Sequence, residues 1–319
     1  YITGWNTKID GFLITPFIYN DLGQRHFLED GQIVQAYTRP EWREGLQFMN
    51  DLYEEGLILP DSFTQDANQM RAIGENPDAV LLGSFPGGTA MQALQASGGN
   101  QREGDYISMP PLRGPSGTRY ARYVPVYGTN VSYITNVNQN PEASFRLFDF
   151  MYTAEYSVWN GWGMRDDTWI DPDPGAVGLD GVSPATRKMV KSWGQQNPLN
   201  WWNQVGNYLQ SKEVRTGAQK TASSEGYNLE VVLFDETAAN YEPYQPPLDM
   251  IVPPLTFSEA QGAEISELET ALTSYVDESI ARFITGDLDI DSDSDWNDYL
   301  NELKMIGVER YVEIKQEAY

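Results

Sequence analysis

Between Ser258 and Gly286 the residues Ile265, Leu268, Leu272, Tyr275, Val276, Ile280 and Phe283 repeat at a helical period, with a capping box of Ser258 and Gln261 at one end and glycine at the other. A helix this long with one apolar stripe must be covered by other elements, so the chain requires a sizeable core. At 319 residues there is room for two lobes, each with its own.

Residues 1–37 read as loop and strand: Gly11-Phe12-Leu13-Ile14 is a short apolar run, and Asp30-Gly31 is a turn before a strand over 32–37. Thr38 with Glu41 forms a second capping box, opening a helix whose stripe Trp42, Leu46, Met49, Leu52 and Tyr53 ends at Gly56. Further helices are predicted over 66–74 and 89–96, from Asn140 with Pro141 in first position, over 183–193 behind Ser183-Pro184, and over 225–241 and 296–306. Strands are predicted over 79–83, 106–109, 120–127 and 130–134, whereas 201–212 fits neither pattern. The stiff stretch Pro110-Pro111-Leu112-Arg113-Gly114-Pro115 is of the kind that joins lobes. The turn after 79–83, Gly83-Ser84-Phe85-Pro86-Gly87-Gly88, leaves backbone N–H groups free to hold a ligand oxygen. It lacks the Lys-Ser/Thr and the glycine spacing of a nucleotide loop.

Six of the nine tryptophans fall within 44 residues: Trp159, Trp162, Trp169, Trp193, Trp201 and Trp202. Their neighbours are Gly161, Gly163, Arg165, Asp166, Asp167 and Asn203 rather than aliphatic residues. Indole set among glycines, carboxylates and amides suits a sugar, which offers a C–H face to a ring and hydroxyls to polar groups. Packing in loops or against helix ends is the competing reading for any one of these rings.

A net charge of −25 makes nucleic acid and anionic membrane surfaces poor partners and disfavours anionic ligands. The absence of cysteine excludes disulfides, thiolate metal sites and cysteine nucleophiles, and His26 is the single histidine. No run of apolar residues is long enough to span a membrane. The alternation Asp287, Asp289, Asp291, Asp293, Asp295 resembles the start of a calcium loop, but Ser292 stands where glycine is needed and Asp298 where glutamate is preferred. These carboxylates read instead as the acidic start of a helix, leaving calcium as the one cofactor alternative to none. An enzyme could be drawn with Asp166 and Asp167 beside Trp169. The carboxyl pair of a glycosidase stands roughly 5–10 Å apart and comes from different strands or loops, which adjacent residues do not provide. No catalytic residue is therefore assigned. A glycoside hydrolase or lyase fragment, or a carbohydrate-binding or adhesion module, are the alternatives to a protein that holds a free sugar in a cleft.

Several stretches together resemble the carbohydrate-binding lipoprotein subunits of bacterial ABC importers, the long Gram-positive type within extracellular solute-binding protein family 1. They are Pro40-Glu41-Trp42-Arg43-Glu44-Gly45-Leu46, Leu52-Tyr53-Glu54-Glu55-Gly56-Leu57-Ile58 and Phe63-Thr64-Gln65, then Met109 through Gly117, Asn140-Pro141-Glu142-Ala143, Arg282-Phe283-Ile284-Thr285-Gly286, and Tyr311 through Tyr319. The resemblance implies an α/β, helix-rich, two-lobed fold of the type II periplasmic-binding-protein kind that closes on a sugar and delivers it to a membrane permease. It also implies a cell-surface protein, lipid-anchored through an upstream segment, with the first part of the N-terminal lobe outside this chain. Residues 1–107 would form the C-terminal lobe, 108–158 would return to the N-terminal lobe, and 159–319 would supply a cleft wall and C-lobe helices.

By the same resemblance Ser84 and Phe85 lie at the cleft, since smaller sugar binders of the family carry an aromatic just after the matching strand. Gly163-Met164-Arg165-Asp166-Asp167-Thr168-Trp169 resembles the family's Gly-x-Glu-Gly-x-x-Trp, keeping Trp169 while Arg165 and Asp166 replace Glu and Gly. The expected ligand-binding residues are Trp169, Trp202, Trp201, Trp162, Phe85, Ser84, Arg165, Asp166 and Tyr127, with no metal among them. The family's usual calcium loop is not found in this chain.

Overall fold

The computed structural model describes residues 1–5, 8–21, 23–94, 102–123, 132–191, 208–209, 211–222 and 228–319. The chain forms two compact units, Tyr1–Pro125 with Ala239–Tyr319, and Val126–Ala238.

The first unit is built around the long helix foreseen in the sequence. In chain order its helices are α1 (Asp10–Leu13), α2 (Pro40–Glu54) and α3 (Ala67–Gly74), and its hairpin is β1 (His26–Glu29) with β2 (Gln32–Gln35). In the second unit follow α4 (Pro141–Met151), α5 (Ala154–Trp162), β3 (Trp169–Ile170), β4 (Lys188–Met189), α6 (Lys212–Thr216) and all but the last two residues of α7 (Leu229–Asn240). The chain then returns with α8 (Glu259–Thr285), α9 (Asp293–Ile306) and α10 (Val308–Ala318). Both halves of the Ser258–Gln261 capping box are present on α8, and Gly286 closes it in the left-handed region at φ 83°.

The stripe of α8 buries Ile265, Leu272, Val276, Ile280, Phe283 and Ile284 against α2, α9 and α10. Trp42 of α2 is fully enclosed and meets Tyr37 edge-on, with ring centroids 6.5 Å apart. Tyr299 packs against Tyr275, Phe283 and Trp296, and its hydroxyl donates to the Tyr37 carbonyl at 3.0 Å. Asp30 and Gly31 both take positive φ in the two-residue turn between β1 and β2, the twist that a tight hairpin requires.

A polar knot ties α10 to this hairpin. Lys315, only 3% exposed, donates to Gln24 Oε1 at 2.7 Å and to the Tyr311 hydroxyl at 3.0 Å, and lies 2.9 Å from His26 Nδ1. His26 Nε2 faces Asp21 at 3.2 Å. Burial pulls the Lys315 ammonium down to about 8, against the opposing charges of Asp21 and Glu269. That value lies below the ~10.4 of an unfolded lysine, so between the two pH values the unfolded chain binds more protons than the folded one. Stability contributed here should rise with pH across that window and stay flat below it. Burial raises the hydroxyls of Tyr37, Tyr299 and Tyr311, which act with the opposite sign above about pH 10 because unfolded tyrosines ionise first. Urea midpoints should therefore climb from pH 8 toward about 10 in the wild type, and the climb should shrink in Lys315→Met. An unchanged climb in that variant would assign it to other groups.

Several elements differ from the sequence expectation. The run at 11–14 is helical: Leu13 N donates to Ile9 O and Ile14 N to Asp10 O, which turns Ile9, Leu13 and Ile14 into the core. Arg39, not Thr38, is the N-cap of α2, because the Thr38 hydroxyl is used on the Gln35 carbonyl at 2.9 Å. The 79–83 run forms no full strand. Gly83 and Ser84 only bridge residues 1–3, where Ile2 pairs in parallel with both Ile58 and Ser84. The helix expected over 89–96 is a 3-10 turn at Ala90–Gln92, with 95 and 96 outside the described residues. The stretches 106–109, 120–123 and 132–134 join no ladder among the described residues; Ala121 N reaches the Tyr244 carbonyl instead.

The helix expected over 183–193 is absent through 191. Asp180 Oδ1 captures the amides of Val182 and Ser183, Gly181 turns the chain at φ 72°, and the segment returns as β4. At Gly114 in the proline-rich stretch a Cβ would stand 1.8 Å from the Pro16 carbonyl, so only glycine lets this connection lie on the first unit. No helix of the described residues is long and apolar enough to cross a membrane.

Candidate functional site

In the second unit, α5 delivers the chain into the tryptophan-rich stretch. The Thr153 hydroxyl caps it by accepting the Tyr156 amide at 3.3 Å, and Gly163 ends it at φ 92°. A Cβ on Gly163 would lie 2.5 Å from Thr168 Oγ1, so the tight fold-back over 163–169 depends on glycine. The backbone N–H and hydroxyl of Thr168 both donate to the Met164 carbonyl at 2.9 Å, and Trp169 Nε1 donates to the Gly163 carbonyl at 2.8 Å. Asp166, with φ 65°, donates its amide to the Trp169 carbonyl at 2.7 Å. β3 then pairs with β4 in antiparallel register, Trp169 opposite Met189.

Trp169 is half-buried, its pyrrole edge pinned by that hydrogen bond, and the exposed Arg165 stands 5.9 Å over its ring while pairing with Asp171. Asp166 is exposed on the same turn, and Asp167 pairs with Lys191. Trp162, also half-buried, lies under the guanidinium of Arg187 at 4.3 Å. Trp159 is exposed and leans on Tyr156 at 5.4 Å. The turn thus brings Trp162, Arg165, Asp166 and Trp169 into one short stretch. Trp193, Trp201, Trp202 and Tyr127 lie outside the described residues.

Arg187 carried no signal in the sequence. It is 1% exposed, donates from Nη1 to the Val214 carbonyl at 2.8 Å and from Nη2 to the Arg215 carbonyl at 3.3 Å, and its Nε has no partner among the described residues. Burial draws the guanidinium down to about 10, with the charge of Glu230 working the other way.

In the first unit, Ser84 and Phe85 are half-buried beside residues 1–3, with Thr3 N donating to the Ser84 carbonyl at 3.2 Å. Phe85 sits 5.8 Å from Tyr106, and Trp5 Nε1 donates to the Pro86 carbonyl at 2.6 Å. Met70, Leu82, Ala93 and Leu94 form the core beneath them. Trp5 and Tyr106 were not singled out in the sequence, although Trp5 follows Gly4 as Trp162 follows Gly161.

Among the described residues no group of three or more His, Cys, Asp or Glu is arranged to hold a metal ion. The acidic run is turned to local use: Asp289 Oδ1 accepts the Asp291 amide and Asp295 Oδ2 the Asp289 amide, both at 3.0 Å, while Ser292 caps α9. A calcium loop would need those oxygens directed at one centre.

No protein-family profile matches the chain. The fructooligosaccharide ABC transporter substrate-binding protein FusA of Streptococcus pneumoniae serotype 4 is 24% identical over 324 residues, a match that takes in 100% of this chain and 56% of the relative. The solved structure of FusA in complex with kestose gives a TM-score of 0.69 at 21% identity, covering 99% of this chain and 62% of that one. The fold is that of the ABC-transporter solute-binding proteins. A solute-binding protein of Bifidobacterium longum infantis described as HMO-binding shares this solute-binding-protein fold with a TM-score of 0.68 at 13% identity, covering 100% of this chain and 63% of its own. The alginate-binding protein AlgQ2 shares it at 0.62 and 17% identity, covering 100% of this chain and 63% of that one. The chain spans about half the length of the curated relative it matches.

Proposed function

We propose that this chain is part of the solute-binding component of an ABC importer, and that it takes a neutral oligosaccharide outside the cell and hands it to a membrane permease. The observation that carries the reading is the turn over 163–169, where Trp169 is held by its edge while Arg165 and Asp166 stand exposed beside it. An indole fixed in this way can offer its face to the C–H side of a sugar ring, and the flanking charged groups can meet the hydroxyls. The FusA match makes short fructans such as kestose the first ligands to try. A net charge of −25 opposes polyanionic ligands. The reading is one of binding without chemistry and without a metal cofactor.

The test is a thermal-shift and calorimetric screen against neutral and anionic oligosaccharides, with Trp169→Ala as the first variant. A stacking tryptophan lost to alanine should weaken binding by about 2 kcal/mol or more, measured on protein that is still folded at the assay temperature. Unaltered affinity in Trp169→Ala would make that ring a packing element of the turn.

A further inference from the structure

We infer that Arg187 is the positioning residue of this site, a buried clamp that sets the placement of Trp162 and Trp169 together. The inference rests on the sugar-binding reading for its consequence but not for its geometry. Arg187 reaches the two tryptophans by different routes. Its side chain covers Trp162 at 4.3 Å, and Trp162 is the last residue of α5, directly before Gly163, whose carbonyl accepts the Trp169 indole N–H. Its backbone stands two residues before Met189, the partner of Trp169 in the β3–β4 register. The same residue is anchored from behind, because its guanidinium donates to Val214 and Arg215 in α6 and its carbonyl accepts the Gln219 amide at 2.7 Å.

A buried guanidinium with no ion pair among the described residues is an expensive way to fill space, and an apolar side chain of similar volume would serve packing better. A planar fork does what an apolar side chain cannot. It reads two carbonyls at the end of α6 and lies against an indole face, so it fixes both distance and ring orientation. Trp162 is thereby covered on one face and fixed in orientation, and the turn that pins Trp169 starts from a fixed point.

The experiment labels the protein with 5-fluorotryptophan and assigns the Trp162 and Trp169 fluorine resonances from Trp162→Phe and Trp169→Phe. Arg187→Met should shift or broaden both resonances and weaken kestose binding at least tenfold. Arg187→Lys keeps a cation but loses the fork; it should move the same two resonances and weaken binding less. Leu179→Ala, which opens a cavity in the same unit, should lower stability without moving the Trp169 resonance, and so separates loss of stability from loss of ring placement. A Trp169 resonance that stays in place in Arg187→Met, or in Arg187→Lys should the first variant not fold, overturns the inference. If the wild type takes up no kestose or other oligosaccharide, the sugar reading falls, and the fluorine comparison still decides what Arg187 does.

Discussion

Arg25→Met should destabilise the protein by about 3–5 kcal/mol, measured as the loss in unfolding free energy by urea titration at neutral pH. The Arg25 side chain is nearly enclosed, with Nε 3.0 Å from Asp10 Oδ2 and Nη2 2.7 Å from Asp277 Oδ1. Asp10 belongs to α1 and Asp277 to α8, so one guanidinium joins the start of the chain to the central helix. The two carboxylates hold Arg25 above the usual arginine range despite its burial. Methionine would keep most of the volume and leave Asp10, itself buried, without its cation. Asp277 would suffer less, because it is partly exposed and also pairs with Lys8. The double variant Arg25→Met/Asp10→Asn should therefore recover part of the loss, and the non-additivity measures the coupling. Additive losses would mean that the pair contributes only packing.

The helices of the first unit were legible because their signals are local. The Ser258–Gln261 box and the Gly286 stop need only residues within one turn, and α8 follows them; α3 was expected over 66–74 and α9 from Trp296, three residues late, because the Ser292 cap was not read as one. The strand after the Asp30-Gly31 turn was legible for the same reason and appears as β2, whereas the strands expected over 79–83, 106–109 and, among the described residues, 120–134 were not, because strand formation depends on partners distant in sequence. Val80 and Leu81 have the composition of a buried strand, yet both are exposed, and the segment pairs only where it meets residues 1–3. The error over 183–193 has the same origin: Ser183-Pro184 does suit a helix start, but Asp180 and Gly181 complete a turn first, and Arg187 is drawn down between Trp162 and α6.

At the candidate site the sequence drew attention to the indoles and missed what holds them. Tryptophans among glycines are conspicuous in composition. The features that fix Trp162 and Trp169 are a carbonyl, a positive-φ glycine and an arginine eighteen or more positions away, none of which is marked by residue type alone. Family resemblance supplied the fold, now matched at a TM-score of 0.69, while the side chains of this turn depart from the family pattern at Arg165 and Asp166.

If the proposed function holds, a polypeptide of the length of FusA that contains this chain should bind kestose at least a hundredfold more tightly than these 319 residues alone, roughly 3 kcal/mol. The chain spans 56% of that relative, and in the second unit α4 leaves apolar side chains open. α4 buries none of its residues: Phe145 is 63% exposed, and Leu147 and Phe150 stand open on the same helix. α7 carries Val231, Val232, Leu233 and Phe234 in succession, which makes its first turns apolar on all sides, and all four are only half-buried. A helix apolar all round belongs inside a larger body. In a site built from two walls, each wall removes part of the water and supplies part of the hydrogen bonding, so one wall alone leaves the sugar half hydrated and its contacts loose. Titrating kestose calorimetrically into both polypeptides under the same salt and pH makes the comparison. Equal affinities would mean that the site is complete within the shorter chain, and the exposed apolar side chains of α4 would then need a partner other than further lobe.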